Sequence, residues 1–339
     1  MRPTLLAGIA LPALLAAQTP TGTIVSANMT AGTASVVDVA TGELRATYET
    51  GQGPHEVAIS HDGKWAVISV YGNGGSIGHS LLVLDLVGDA APRTIEMGDL
   101  KRPHGMRFLP GDAKLVVTSE ATQRVAIVNF LKGTVDTTIS TAQAGTHMVV
   151  IDAPGKRAFT TNITSKSVSV IDLGRDSVMR LIDAGERIEG IAINPDATEV
   201  WTGANTAKVV FVFNPATGEK VATIDGFGMP YRMSITPDGA TAVVSDPVEE
   251  SVKIVDVKTH KVRQTIDMPK VEAISAEHPS PQGVILSRDG RFAFVTLKAL
   301  GKVAVINIAS GTVVKTLTVG GGSDGVGFSP LAAKTRPAR

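Results

Sequence analysis

The apolar and polar positions of this 339-residue chain follow one pattern that returns seven times. One unit consists of a short apolar strand (for example residues 57–59), a turn (237–239) and a β-branched strand (242–245). A third strand (167–172), a tight turn (216–218) and an outer strand (221–224) follow. Short apolar segments separated by turn residues are typical of antiparallel strands. The pattern therefore predicts repeating units of four antiparallel strands, which we call a to d.

The spacing of the units identifies the architecture. A clear copy begins at Gly53-Pro54-His55, and the positions equivalent to His55 are 55, 104, 147, 189, 231, 282 and 324. They are separated by 49, 43, 42, 42, 51 and 42 residues. A period near 42 residues is typical of the four-stranded blades of a β-propeller.

The two ends of the chain hold complementary parts of one unit. Residues 23–26, 35–38 and 45–48 match strands b, c and d, whereas residues 325–330 match strand a with no further strands behind it. Pairing the two parts completes a seventh blade and leaves no open sheet edge in the ring. We therefore predict an all-β, seven-bladed β-propeller with four antiparallel strands per blade, whose last blade is closed by strands from both termini, over residues 18–330.

Composition limits the possible functions. The 32 basic and 32 acidic residues cancel, so nothing favours nucleic acid as a partner. Cysteine is absent, which excludes disulfides and cysteine-ligated clusters. The sequence has no G-x-S-x-G motif and no phosphate-binding loop of the Walker type.

The first residues have the features of a secretory signal. Arg2 precedes an apolar run from Leu5 to Ala17, and this run is shorter than the ~20 residues that a membrane-spanning helix requires. The alternative is an apolar N-terminal helix of the mature fold. We expect residues 1–17 to be a signal peptide, the protein to be periplasmic or secreted without a membrane span, and residues 331–339 to be a disordered tail.

Several segments resemble the YVTN-repeat seven-bladed propellers, a family that includes the YncE-like exported proteins. They are Phe159-Thr160-Thr161-Asn162 followed by Ser167–Asp172, together with the Pro-His-x-Val and Pro-Asp-Gly elements. The resemblance extends over residues 23–330. It implies the fold and export but leaves the function open, because the same ring carries enzymes, haem-binding domains and adhesive modules.

Topology places most of the histidines on one face. The a–b and c–d turns lie on one face of the ring, where we expect His61 and His260. The b–c and d–a connections lie on the other face, where we expect His55, His79, His104, His147 and His278. The two longest loops, residues 71–80 and 269–281, also belong to the second face. Because strand a is innermost, the residue before it lies at the mouth of the central channel, and the seven mouth positions are His55, His104, His147, Glu189, Tyr231, Gln282 and Asp324.

Three interpretations of this polar mouth stay open. It could be hydrated without a ligand, it could bind a small molecule or anion without metal, or His55, His104 and His147 could together hold Zn²⁺ or a similar divalent ion. In the last case Glu120, which follows a strand b, and Glu189 would be the catalytic proton carriers. Ligand-binding positions would be His79, Tyr231, Gln282 and Asp324.

Two functions follow from these interpretations. We favour an exported binding or interaction protein, expected to be a monomer, that presents the histidine-rich mouth to a small ligand or a partner protein. The alternative is a metal-dependent lyase or hydrolase that uses the same residues.

Overall fold

The computed structural model describes residues 20–336, and these form seven sheets of four antiparallel strands. The predicted seven-bladed, all-β architecture is confirmed. The described chain contains only three short 3-10 helices, Glu120–Thr122, Met268–Lys270 and Lys298–Leu300. None of its helices is long and apolar enough to cross a bilayer. The predicted signal peptide and residues 337–339 lie outside the described residues.

The strands follow the predicted order along the chain, and we number the blades by their strands a. The chain begins with β1 (Thr23–Asn28), β2 (Thr33–Asp38) and β3 (Leu44–Glu49). Blade 1 comprises β4 (Pro54–Ile59), β5 (Trp65–Gly72), β6 (Ile77–Asp85) and β7 (Arg93–Glu96). Blade 2 comprises β8 (Pro103–Phe108), β9 (Lys114–Ser119), β10 (Arg124–Asn129) and β11 (Thr134–Ser140). Blade 3 comprises β12 (Thr146–Ile151), β13 (Arg157–Asn162), β14 (Ser167–Asp172) and β15 (Ser177–Asp183).

The second half of the ring repeats the same arrangement. Blade 4 comprises β16 (Ile188–Ile193), β17 (Val200–Ala204), β18 (Val209–Phe213) and β19 (Lys220–Ile224). Blade 5 comprises β20 (Met233–Ile235), β21 (Thr241–Asp246), β22 (Ser251–Asp256) and β23 (Lys261–Asp267). Blade 6 comprises β24 (Pro281–Leu286), β25 (Phe292–Leu297), β26 (Lys302–Asn307) and β27 (Thr312–Thr318). The last strand is β28 (Ser323–Ser329).

The ring closes through blade 7, which contains both ends of the described chain. Its strand order is β28-β1-β2-β3, with Phe328 opposite Ile24. Residues after Pro330 continue along this blade: the Ala333 amide donates to the Thr23 hydroxyl, and the Arg336 amide donates to the Arg45 carbonyl. The described part of the tail, residues 331–336, is therefore held by hydrogen bonds, which differs from the expectation of a disordered tail.

The core is a ring of apolar layers between neighbouring blades. Among the described residues, seven clusters of buried apolar side chains occupy the seven blade interfaces. Successive residues of one strand face opposite interfaces: Leu115 and Val117 of β9 pack towards blade 1, and Val116 packs towards blade 3. Successive residues in the middle of a central strand, such as Leu115, Val116 and Val117, are apolar because both faces of the strand are buried.

The start of the inner strand is irregular in six of the seven blades, and this irregularity positions the mouth residues there. In blade 1 the pairing between β4 and β5 shifts between Pro54 and Val57, so His55 and Glu56 lie within a bulge. Equivalent shifts occur in blades 2, 3, 4, 6 and 7. A bulge bends a strand and redirects its side chains. The mouth residue and its successor can therefore face the channel.

A hydroxyl in strand b stabilises this irregular segment. In blade 3 the Thr161 hydroxyl accepts a hydrogen bond of 3.3 Å from the Met148 amide. It donates a hydrogen bond of 2.7 Å to the backbone carbonyl of Glu189 in blade 4. The mouth carbonyls of three other blades are held in the same way; the pairs are Thr118 with His147, Ser245 with Gln282 and Thr296 with Asp324. These four bonds join blade 2 to 3, 3 to 4, 5 to 6 and 6 to 7 at the channel.

Replacing one of these hydroxyls should destabilise the ring. Thr161→Val keeps the shape of the side chain but leaves two backbone groups near the channel without partners. An unsatisfied buried group costs about 1–3 kcal/mol, and we expect a loss of that size in the free energy of unfolding measured by urea titration. The control is Thr202→Val in blade 4, since the buried Thr202 hydroxyl has no partner. Equal losses in both variants would contradict the role given to the Thr161 hydroxyl.

Acid should weaken the turns between strands a and b. The Thr236 hydroxyl and the Ala240 amide donate to Asp238 and lower the pKa of this carboxyl below 3.8. A carboxyl whose pKa is lower in the folded state stabilises the fold above its unfolded pKa, and this contribution disappears as pH falls through the folded value. We expect Asp238→Asn to melt at a lower temperature than the wild type at pH 7, with the difference shrinking below pH 3.8. A difference that stayed constant down to pH 2 would argue against this contribution.

Candidate functional site

Three imidazole rings lie side by side at the channel mouth. His55, His104 and His147 are the second residues of the inner strands β4, β8 and β12, in three consecutive blades. The ring centroids of His55 and His104 are 4.3 Å apart, and those of His104 and His147 are 3.7 Å apart. His104, in the middle, is 0% exposed.

Most nitrogens of these rings have no hydrogen-bond partner although they are buried. They are Nδ1 of His55, both ring nitrogens of His104, and Nε2 of His147. Burial and the neighbouring His147 and His55 hold the pKa of His104 well below 6.5, so this ring is neutral at physiological pH. Buried polar atoms are nearly always satisfied in native proteins. A concentration of exceptions at one place requires an explanation.

Two carboxylates flank His147. Its Nδ1 is 2.8 Å from Oε2 of Glu120, and its Nε2 is 3.5 Å from Oε1 of Glu189. Burial opposes protonation of this ring, but the two carboxylates outweigh burial and raise the pKa of His147. The bond to Glu120 assigns the Nδ1 proton and leaves Nε2 as the nitrogen that can bind a ligand.

The histidines form two overlapping sets that could hold a metal ion. One set is His55, Glu56 and His104, and the other is His104, Glu120 and His147; within each set the ligand atoms lie within 4.8 Å of one another. The described residues provide no single set that contains all three histidines. The structure thus departs from the expected three-histidine centre, because His55 and His147 lie on opposite sides of His104.

Glu56 and Arg232 contribute to the site although the sequence analysis missed them. The Arg232 guanidinium is 3.1 Å from Oε1 of Glu56 in blade 1 and 3.2 Å from Oε1 of Glu189 in blade 4. Burial would lower the pKa of Arg232, but Tyr231 and the surrounding carboxylates raise it. The buried ion pairs bring both carboxylates close to the imidazoles.

The same ion pairs set the charge of Glu189. Burial alone would raise the pKa of this carboxyl, but His147 and Arg232 lower it to about 2. Burial would also raise the pKa of Glu120, but the hydrogen bond to His147 outweighs burial and lowers it. Both glutamates are therefore anionic at neutral pH.

Tyr71, near the end of β5, covers the imidazoles. Its ring meets His55 edge-on at 5.2 Å and His104 at 5.3 Å, and the Arg102 guanidinium lies 4.7 Å from its centroid. Its phenol hydroxyl bonds the Glu120 carboxylate. Burial and the charge of Glu120 raise the pKa of Tyr71 to about 12, so the phenol keeps its proton.

The mouth carries a second polar group on the side of His55 that faces away from His104, in blades 5 to 7. Asp324 is 1% exposed, and its Oδ2 accepts from the Lys298 ammonium at 2.7 Å. Gln282 contacts the same ammonium through Oε1 at 3.4 Å, and the Arg232 guanidinium stacks on the Tyr231 ring at 4.3 Å. Burial would raise the pKa of Asp324, but His55, Lys298 and Arg232 lower it.

His79 is the predicted site residue that the structure does not bring to these groups. Its side chain is 52% exposed and pairs with Glu96 at 3.1 Å. A repeat alignment could have revealed the missed pair, because Glu56 and Arg232 follow the mouth position where four blades have glycine, namely Gly105, Gly190, Gly283 and Gly325. A Cβ at Gly190 would lie 2.3 Å from the Tyr231 carbonyl, so the position is crowded in that blade. A large charged residue at the equivalent position, as at Glu56 and Arg232, therefore indicates a specific role for that side chain.

Removing Arg232 should destabilise the fold strongly. Arg232→Met leaves the Glu56 and Glu189 carboxylates without their cation, and removing one partner of a buried ion pair costs about 3–5 kcal/mol. Urea unfolding of Arg232→Met and of the double variant Arg232→Met/Glu56→Gln provides the measurement. The double variant should recover part of the loss, because it removes one uncompensated charge. Unchanged stability in Arg232→Met would contradict the inferred ion pairs.

Comparisons with known proteins establish the fold but no family. No protein-family model matches the chain. An 85-residue segment, 24% of this chain, is 34% identical to the methylamine dehydrogenase heavy chain of Methylobacillus flagellatus, of which it spans 21%. Among solved structures, the chain resembles Kuenenia stuttgartiensis hydrazine synthase with a TM-score of 0.65 at 17% identity, over 79% of this chain and 87% of that chain. It also resembles a functionally unknown protein from Desulfotomaculum acetoxidans DSM 771 with a TM-score of 0.74 at 14% identity, over 91% and 99% of the two chains.

Proposed function

We propose that this protein is an exported binding propeller whose channel mouth holds a divalent transition-metal ion and presents it to a small ligand. One observation carries the proposal: imidazole nitrogens of three neighbouring histidines are buried, unpartnered and surrounded by carboxylates. Neutral imidazole and carboxylate are the ligands that Zn²⁺ and similar divalent ions prefer. The residues present therefore fit such an ion.

A purely structural role accounts poorly for these histidines. If a Pro-His step only suited the turn, the ring nitrogens would bond nearby backbone groups. His104 instead leaves both nitrogens unpartnered in a fully buried position. Leaving such groups unsatisfied costs free energy, and a bound ion would remove that cost.

The set formed by His104, Glu120 and His147 fits an ion better than the set that contains Glu56. Oε1 of Glu56 already accepts two hydrogen bonds from Arg232, at 3.1 and 3.3 Å. In the favoured set, Nε2 of His147 makes no hydrogen bond and lies 3.5 Å from Oε1 of Glu189, and Glu120 holds the proton on Nδ1. Carboxylates that bond the second nitrogen of a liganding histidine orient the ring and raise its basicity.

The charge states favour binding over the alternative of a metal-dependent lyase or hydrolase. A bound divalent ion would polarise a carbonyl or acidify a water molecule. Proton carriers act best with a pKa near the working pH, whereas the pKa of Glu189 is about 2. Glu120 and Glu189 suit the task of orienting and balancing the imidazoles better than that of carrying protons.

Export, family and oligomeric state are part of the proposal. The apolar segment from Leu5 to Ala17 supports a signal peptide and hence a periplasmic or secreted protein. The repeat pattern supports membership of the YVTN type. The closed ring, whose blades leave no interior edge to be completed by another chain, supports a monomer. The ligand at the mouth could be a small molecule or a segment of a partner protein.

Metal content tests the proposal directly. The full chain, without a histidine tag, is incubated with Zn²⁺, dialysed and analysed by mass spectrometry for bound metal. We expect one equivalent in the wild type and its loss in His104→Ala, because His104 belongs to both candidate sets. Circular dichroism shows whether the variant is folded, and His147→Gln provides a second, milder change.

The matched control is His61→Ala. His61 is exposed and pairs with Asp112 at 2.6 Å, away from the imidazole cluster. This variant should keep its equivalent of metal. No bound metal in the wild type after incubation, or equal loss in His61→Ala and His104→Ala, would overturn the proposed ion site.

A further inference from the structure

A small cavity lies on the axis of the ring, directly inside the mouth. It is lined by residues of all seven inner strands, which are β4, β8, β12, β16, β20, β24 and β28. Its volume is about 30 Å³. At roughly 10–15 Å³ for each water molecule, it has room for about two waters, or for one monatomic anion in their place.

Arg107 brings a charge into this cavity. Most of the lining is apolar, with Val57 and Ile191 as examples, and the charged lining residues are Glu56, Arg107 and Arg232. Arg107 is the fifth residue of β8 and is partly buried. It is the third residue after the mouth position of its blade, and the equivalent residues of the other six blades carry no charge; they are Ala58, Val150, Ala192, Ser234, Ile285 and Gly327. The charge is therefore a single departure from the repeat.

The Arg107 guanidinium has few partners in the protein. Its Nη1 donates to the backbone carbonyl of Met106 at 2.7 Å. Nε and Nη2 make no hydrogen bond with a described residue, and no described carboxylate forms an ion pair with this side chain. Neither nitrogen belongs to the enclosed unpartnered atoms, so both keep surface that a ligand can contact. A guanidinium has five N–H donors, and most of those of Arg107 are thus available.

The charges around the cavity favour an anion. The Glu56 carboxylate already has Arg232 as its partner at 3.1 Å, and Glu189, the second partner of Arg232, does not line the cavity. Burial lowers the pKa of Arg107, the Glu56 carboxylate opposes this effect, and Arg232 adds to it. Arginine nevertheless keeps its proton in proteins, so Arg107 cannot become neutral as a buried lysine can. A buried charge without a counter-charge costs free energy, and water in the cavity would solvate this charge without neutralising it.

We propose that the axial cavity binds one small inorganic anion of the size of chloride, held by the Nε and Nη2 donors of Arg107. The volume of the cavity restricts the ligand to an anion of about this size. Arg107 belongs to neither set of candidate metal ligands. The anion site therefore goes beyond the proposed function and does not depend on the metal ion.

Chloride is the first probe. The full chain is freed of metal by chelation, so that an ion at the mouth cannot itself bind chloride, and is dialysed into sodium gluconate. Sodium chloride then replaces gluconate, an anion too large for the cavity, at constant ionic strength. A ligand that binds the folded state raises stability as its concentration increases, so the melting temperature of the wild type should rise with chloride. A constant melting temperature would overturn the site.

Arg107→Met assigns the effect to the guanidinium. In gluconate this variant should melt at or above the temperature of the wild type, because it removes a buried charge that lacks a counter-charge. Its affinity for chloride should be weaker by about tenfold or more, since it loses hydrogen bonds from a charged group. A variant that is less stable than the wild type by the same amount at every chloride concentration would contradict the proposal, because Arg107 would then act through the protein structure alone.

Arg175→Met is the matched control. The Arg175 side chain is 82% exposed and lies 3.9 Å from Asp172, so this variant removes the same charge from the surface. It should respond to chloride as the wild type does. Equal loss of the response in Arg175→Met and Arg107→Met would mean that chloride acts on the overall charge, and the cavity site would be wrong.

Bromide locates the anion without any variant, so the test does not depend on the folding of Arg107→Met. Crystals of the metal-free full chain are soaked in sodium bromide, and anomalous diffraction is measured. We expect one bromide in the axial cavity beside the Arg107 guanidinium. Bromide found only at the surface would indicate an adventitious ion only and would overturn the site. Since these measurements are made without metal, failure of the metal proposal leaves their outcome unchanged.

Discussion

The functional face depends on a backbone constraint at the start of six of the seven inner strands. There the ladder between strands a and b shifts, and two residues leave the regular pairing. The hydroxyl of strand b replaces the lost ladder bonds and fixes the carbonyl of the next mouth residue. His55, His104 and His147 project from this segment, and Glu120 follows strand b of blade 2 directly. The chemistry of the mouth therefore depends on the ring connections, since the mouth carbonyls of blades 3, 4, 6 and 7 are each held by the blade before them.

A second level of organisation is electrostatic. Arg232 comes from blade 5 but reaches the carboxylates of blades 1 and 4, so it spans the channel. The two histidine sets therefore have different partners. The carboxylate of one set, Glu56, is bound to the Arg232 guanidinium. The carboxylate of the other set, Glu120, is bound to the His147 imidazole and the Tyr71 phenol. Three stacked histidines that look equivalent in the repeat thus become chemically distinct. The asymmetry arises from single departures from the repeat at positions 56 and 232.

The sequence predicts the fold because its information is periodic. Seven recurrences of one pattern fix the number of blades, the strand order and the closure by β28, and the position before strand a identifies the mouth. Glu56 was missed because side-chain direction within a bulge is not periodic. Arg232 was missed because blade 5 departs from the repeat there: β20 begins only at Met233, and its pairing with β21 has no shift. Tyr71 was missed because the sequence assigned it to a loop, whereas β5 extends to Gly72 and brings its ring against His55 and His104. His79 lies in the neighbouring strand β6, but its side chain is exposed and pairs with Glu96.

The closure of blade 7 has a consequence for the order of events during synthesis. β1 is among the first strands to emerge, yet its inner neighbour β28 is the last. Ring closure must therefore wait until the ribosome has passed residue 329, and blades 1 to 6 can form beforehand only as an open arc with one unpaired inner edge. Until that moment the interface clusters beside blade 7 are incomplete. The closed ring thus cannot form during synthesis until strand β28 is available to pair with β1.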